Sequence, residues 1–137
     1  MTKEGREYGW VFLRVAIGAM LFGLHGYARI GKLYNYFVLG QTWTFVGLVQ
    51  RIGFPMPAFF AVASALVEAI GSILLILGLG TRWVALLLAI NMAVATGFEL
   101  NKGGGGAELP GVYLAALIAL AIGGSGKYSL DARRGKR

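Results

Sequence analysis

Between Pro57 and Leu79 the chain runs 23 residues with a single charged side chain, Glu68, near the middle. A helix of about 20 apolar residues crosses a bilayer, so this run is long enough to span one. An ionisable group at that depth costs several kcal/mol unless it is paired or protonated. What Glu68 faces is the question the remaining sequence has to answer.

Three further apolar segments follow the same pattern, at about 8–27, 82–100 and 109–124. Four segments cannot close a barrel, and backbone groups in lipid must be satisfied within the segment, so each is expected to be a helix. Composition agrees. Charged residues make up 14% of the chain and hydrophobic ones 57%, against about 25% charged in a soluble domain. The expected fold is an all-α membrane protein: four transmembrane helices in a bundle, forming one domain over 1–137. Residues 127–137 form a basic tail.

Charge placement suggests the topology. Lys3, Arg6, Arg82, Lys127, Arg133, Arg134, Lys136 and Arg137 fall on the side shared by both termini, whereas the opposite side holds Arg29, Lys32, Arg51 and Lys102. The positive-inside rule then places both termini in the cytoplasm. The net charge of +7 is accounted for by this asymmetry, and no nucleic-acid partner is expected. The N-terminal apolar run is interrupted by Arg14 and lacks a small-residue cleavage site, so it reads as a retained first span. With no cysteine and one histidine, the chain lacks the ligands for thiolate metals, iron–sulfur clusters or bis-histidine haem, and no metal site is expected.

The connection 31–56 holds Tyr34, Tyr36, Phe37, Trp43, Phe45 and Phe54. It is too polar for a span and too aromatic for a free loop. A short interfacial helix over 42–51 fits. The aromatics serve either as a belt at headgroup level or as a lid over an opening in the bundle. Small residues on spans two to four, among them Ala61, Ala65, Ala69, Ala89, Ala93, Ala115 and Ala119, permit close helix approach. Gly103–Gly106 is expected to be a hinge and lacks the Lys-Ser/Thr of a phosphate loop.

On a common depth scale, Arg14, Glu68 and Asn91 lie roughly 9, 16 and 13 Å from the terminal side. They are expected to form one polar layer, with an Arg14–Glu68 pair. His25, Arg29, Glu99 and Glu108 are expected to meet in a second layer near the opposite mouth. Either these residues are structural glue, or they line a pocket for a small polar-headed molecule such as a quinone. The ligand-binding candidates are thus His25, Arg29, Glu68, Glu99 and Glu108. No nucleophile–base pair is evident, so the chain alone carries no catalytic signature.

These residues sit in a recognisable set of motifs: Leu13-Arg14 with Gly18; Phe22 and His25-Gly26; Gly53-Phe54-Pro55-Met56-Pro57; Val67-Glu68-Ala69-Ile70-Gly71. The set continues with Leu77-Gly78-Leu79-Gly80-Thr81-Arg82, Met92-Ala93, Glu108, and Gly124-Ser125-Gly126-Lys127-Tyr128-Ser129-Leu130-Asp131. By them the chain resembles the DoxX family of small four-span bacterial and archaeal membrane proteins. Arg29 is a departure, since the family often has lysine there; the charge is kept but the donor geometry changes. The resemblance implies a four-helix fold in the plasma membrane. It also implies an association with membrane redox complexes, including a thiosulfate:quinone oxidoreductase, and with oxidative-stress systems.

Three functions follow as expectations. The first is an integral subunit of a redox or oxidative-stress complex, with no intrinsic cofactor and a quinone- or lipid-sized pocket; any enzyme it joined would be a quinone-linked oxidoreductase. The second is a non-catalytic scaffold or assembly factor. The third is a small transporter, disfavoured because no repeat or broken helix pair is evident. Expected partners are the lipid bilayer, redox proteins and, by self-association, a homo-oligomer.

Overall fold

The computed structural model describes residues 2–135, and among these the chain is all-helical with no strand. Helix α1 (Lys3–Leu21) passes through a π-helical turn (Phe22–Gly26) into α2 (Tyr27–Phe37). Then come α3 (Thr44–Ile52), α4 (Pro57–Leu77), α5 (Thr81–Asn101), α6 (Glu108–Gly123) and the short α7 (Leu130–Arg133). Lys136 and Arg137, the end of the expected basic tail, lie outside the described residues.

The unbroken Lys3–Phe37 helix, α4 and α5 are each long and apolar enough to cross a membrane, and α6 is a shorter apolar helix of 16 residues. At 1.5 Å per residue α6 reaches about 24 Å, just short of the hydrocarbon core. The first helix runs farther than the sequence suggests. Its 35 residues span about 52 Å; no residue of α2 is fully buried, although Leu33 and Tyr36 pack against the cluster between α3 and α4. Outward-facing side chains of the crossing helices are apolar, including Phe12, Phe59, Ile90 and Ile122. Trp83 is 75% exposed. This is the surface lipid requires.

Helices pack in the order α1–α4–α5–α6, with α1 and α6 meeting only lightly. Leu21, Leu75, Leu88, Leu117 and Leu120 fill the main core. A second cluster joins α3 to α4 through Trp43, Val49, Ala61 and Ala65. The π turn sets the α1–α4 contact. Eight residues of regular α-helix would rotate Gly26 roughly 80° away from Gly18. The extra residue absorbed by the π turn brings it back, and both glycines lie against α4. A Cβ on Gly18 would come within 2.9 Å of the Ser72 carbonyl oxygen, and one on Gly26 within 3.1 Å of the Ala69 Cα.

The α4–α5 hairpin turns on Gly78 and Gly80, both in the left-handed region at φ 71° and 62°. A Cβ on Gly78 would also fall on the Arg14 guanidinium. Gly78→Ala therefore combines backbone strain with a steric conflict. A loss of about 1–3 kcal/mol is expected from the backbone alone, read as a lower unfolding temperature in detergent.

Candidate functional site

The polar residues separate into two groups at opposite ends of the bundle. At the hairpin end, Arg14 is 2% exposed. Its Nη1 donates to the carbonyls of Leu75 and Ile76 at 3.0 Å, and its Nη2 to the Tyr128 carbonyl at 2.6 Å. A helix C-terminus presents unsatisfied carbonyls and partial negative charge, so a cation there is stabilising. The mirror-image contact is made by Asp131, whose carboxylate accepts from the Gly80 and Thr81 amides at 2.9 and 3.0 Å. Those amides begin α5, where negative charge is favoured. The Asp131 amide also donates to the Gly78 carbonyl at 3.0 Å.

One turn is thus held from both sides, by Arg14 for the helix that ends there and by Asp131 for the helix that begins there. Besides the Arg14–Tyr128 bond, the C-terminal segment is fastened to α1 by three further contacts. The Trp10 indole N–H donates to the Gly124 carbonyl at 2.9 Å, and the Lys127 amide donates to Glu7 at 2.9 Å. Tyr8 stacks on Tyr128 with ring centroids 5.4 Å apart.

The expected Arg14–Glu68 pair does not form. Glu68 sits seven residues before Leu75, or about 10 Å up α4, and Arg14 points the other way, to the free carbonyls. Glu68 instead accepts from the Nε of Arg29 at 3.1 Å. Asn91 does not join the pair; its side-chain amide donates to the Ser64 carbonyl at 3.2 Å. The three residues of the expected single layer therefore have three separate sets of partners.

Around Glu68 the bundle opens. A cavity of about 560 Å³ lies between α3, α4, α5 and the first turns of α6. Glu68, Arg29, His25 and Asn91 supply polar groups to it, and the walls are apolar, with Phe45, Val67 and Phe98 among them. The Arg29 guanidinium carbon lies 3.9 Å from the centroid of the Phe45 ring, a cation–π contact. The cation is thus fixed between a carboxylate and an aromatic face. The edge of His25 meets Tyr113, with ring centroids 6.2 Å apart. Leu87 and Ile90 line the cavity too and are 51% and 54% exposed on the outer face of α5. Its mouth therefore includes the lipid-facing side of the bundle.

Tyr113 is the residue that sequence reasoning missed. It is 2% exposed, lines the cavity, and its hydroxyl has no hydrogen-bond partner among the described residues. Among the described residues three other buried polar atoms lack partners, on Arg14, Thr81 and Ser125, but none of those residues lines the cavity. The available signal was that Tyr113 carries the one hydroxyl in the apolar stretch of α6.

The expected second layer assembles only in part. His25 and Arg29 reach the cavity. Glu99 lies on its rim and pairs with Lys102 at 3.3 Å, one turn along the same helix. Glu108 does not join them: it is exposed at the start of α6 and does not line the cavity. Its place in the first turn, where negative charge suits the helix dipole, explains it better. Phe45 and α3 cover the cavity, whereas Tyr34 is exposed outside it.

The DoxX family model matches residues 9–99, which include most of α1, all of α2 to α4 and nearly all of α5. A Haemophilus influenzae protein described only as uncharacterized is 33% identical over 94% of this chain and 92% of its own length. An uncharacterized membrane protein of Mycobacterium tuberculosis is 35% identical over 66% of this chain and 65% of its own. A Bacillus subtilis protein named "Putative oxidoreductase CatD" is 31% identical over 91% of this chain and 86% of its own. No solved structure matches the chain.

Proposed function

The chain belongs to the DoxX family, and on that premise we propose that it is an integral-membrane subunit of a redox or oxidative-stress complex that binds a quinone in the Glu68 cavity. The observation that carries this reading is the combination of a lipid-reachable apolar cavity with the free Tyr113 hydroxyl inside it. A quinone suits such a place. Its ring matches the apolar walls, and its carbonyl oxygens accept hydrogen bonds from a phenol or a fixed guanidinium. A long isoprenoid tail would leave past Leu87 and Ile90 into the acyl chains.

Arg29, held by Glu68 and Phe45, can stabilise negative charge developing on a reduced quinone oxygen. The His25 imidazole borders the same cavity, and a ring nitrogen that can both give and take a proton suits it to exchange the accompanying proton. This chain has no electron-carrying group of its own in the reading, so electrons come from a redox protein partner. The name of the Bacillus subtilis relative supports the redox setting. The excess of Lys and Arg at the terminal side supports both termini being cytoplasmic, in the plasma membrane, with α3 facing outward.

Tyr113→Phe tests the reading without disturbing the fold, because the lost hydroxyl has no partner to leave behind. Quinone affinity, measured by titration in nanodiscs, should fall about 2- to 10-fold for one lost hydrogen bond, with the unfolding temperature unchanged or higher. Equal affinity in both proteins would remove Tyr113 from the site.

A further inference from the structure

On the other side of Arg29 lies a second hollow, of about 470 Å³, between α2 and α3. Three cations border it: Arg29 and Lys32, one turn apart on α2, and Arg51 in the last turn of α3. Among the described residues no carboxylate lines it, and Glu68 borders the apolar cavity instead. The donors here are largely unspent. Arg29 gives Nε to Glu68 and its face to Phe45, leaving both terminal nitrogens without a hydrogen-bond acceptor among the described residues. Lys32 forms no ion pair among them, and Arg51 reaches only the Gly47 carbonyl at a long 3.4 Å.

Gathering like charges around one hollow is unfavourable unless something negative enters it. Two guanidinium forks and an ammonium suit the several oxygens of a tetrahedral anion better than a single-atom ion. His25, Arg29, Phe45 and Leu48 border both hollows, so a group bound here sits directly beside the apolar cavity. The geometry points to a binding site for a phosphate-type oxyanion in this hollow, either an anionic lipid headgroup or a free anion. The site does not depend on quinone binding in the neighbouring cavity.

The test uses the full chain, delipidated in an uncharged detergent, and Lys32→Gln/Arg51→Gln. Both side chains are exposed, so the unliganded unfolding temperature should not change. Binding is read by native mass spectrometry and thermal shift with phosphatidylglycerol, phosphatidylcholine and inorganic phosphate. Phosphatidylglycerol should bind the wild-type chain, and about tenfold more weakly the double variant. Phosphatidylcholine, whose choline cancels the phosphate charge, should bind both weakly and alike. If inorganic phosphate displaces phosphatidylglycerol, the anion itself is what the site holds; if it does not, the source is the lipid. Equal binding of the two lipids, or equal phosphatidylglycerol binding by the two proteins, overturns the proposal. Quinone affinity should be the same in both proteins, which separates this site from the cavity.

Discussion

Replacing Arg14 with leucine should be the most damaging single change in the chain. The substitution leaves the carbonyls of Leu75, Ile76 and Tyr128 without the donor they share. It also removes a positive charge whose field reaches Asp131. Breaking one side of a buried charged arrangement costs about 3–5 kcal/mol, and the leucine cannot recover it by burial because the site is lined with carbonyl oxygens. Arg14→Lys should recover only part of the loss. A single ammonium is a compact donor, whereas the guanidinium fork serves α4 and the C-terminal segment at once. Chemical unfolding in mixed micelles would rank the three proteins as wild type, lysine, leucine. A leucine variant as stable as wild type would show that the hairpin end does not depend on this contact.

The second large effect concerns the pair above it. Arg29→Met leaves Glu68, with a side chain 7% exposed, as an unpaired carboxylate at membrane depth. That should cost about 3 kcal/mol or force the group to protonate. Glu68→Gln should cost less, because Arg29 is more exposed and keeps its contact with Phe45. The double variant should then be more stable than Arg29→Met alone, since it removes the stranded charge. Chemical unfolding of the single and double variants in mixed micelles reads the difference. A double variant no more stable than Arg29→Met would mean that the carboxylate is not stranded.

The sequence made the inventory of buried polar groups legible but not their pairing. Hydropathy located the spans, and the depth of each polar residue followed from helical rise. Depth alone, however, left open where around the helix each side chain points. Arg14 and Glu68 have compatible heights, yet Arg14 turns toward the end of α4, because free carbonyls there form a stronger demand than a carboxylate about two turns away. The second missing piece was the path of the C-terminal segment. Nothing in the composition of Lys127–Asp131 indicates that it folds back under the α4–α5 hairpin, so the bond of Asp131 to the Gly80 and Thr81 amides is not legible there. The π turn was equally invisible, since Phe22–Gly26 carries no proline, and its two glycines are of a kind common in membrane helices. Its effect is felt at Gly18 and Gly26, which would otherwise not share a face.

The two ends now have different characters. The hairpin end is closed by charged contacts to backbone groups. At the α3 end, Glu68 and Arg29 border a cavity that holds a free hydroxyl. Extraction of the full chain from its native membranes in a mild detergent, followed by mass spectrometry of retained molecules, tests the central proposal most directly. The expected result is about one quinone per chain in the wild type, reduced in Tyr113→Phe and Glu68→Gln but not in Gly78→Ala protein that remains folded. Only bulk lipid in the wild type, with quinone at the level of an unrelated membrane protein, would contradict it.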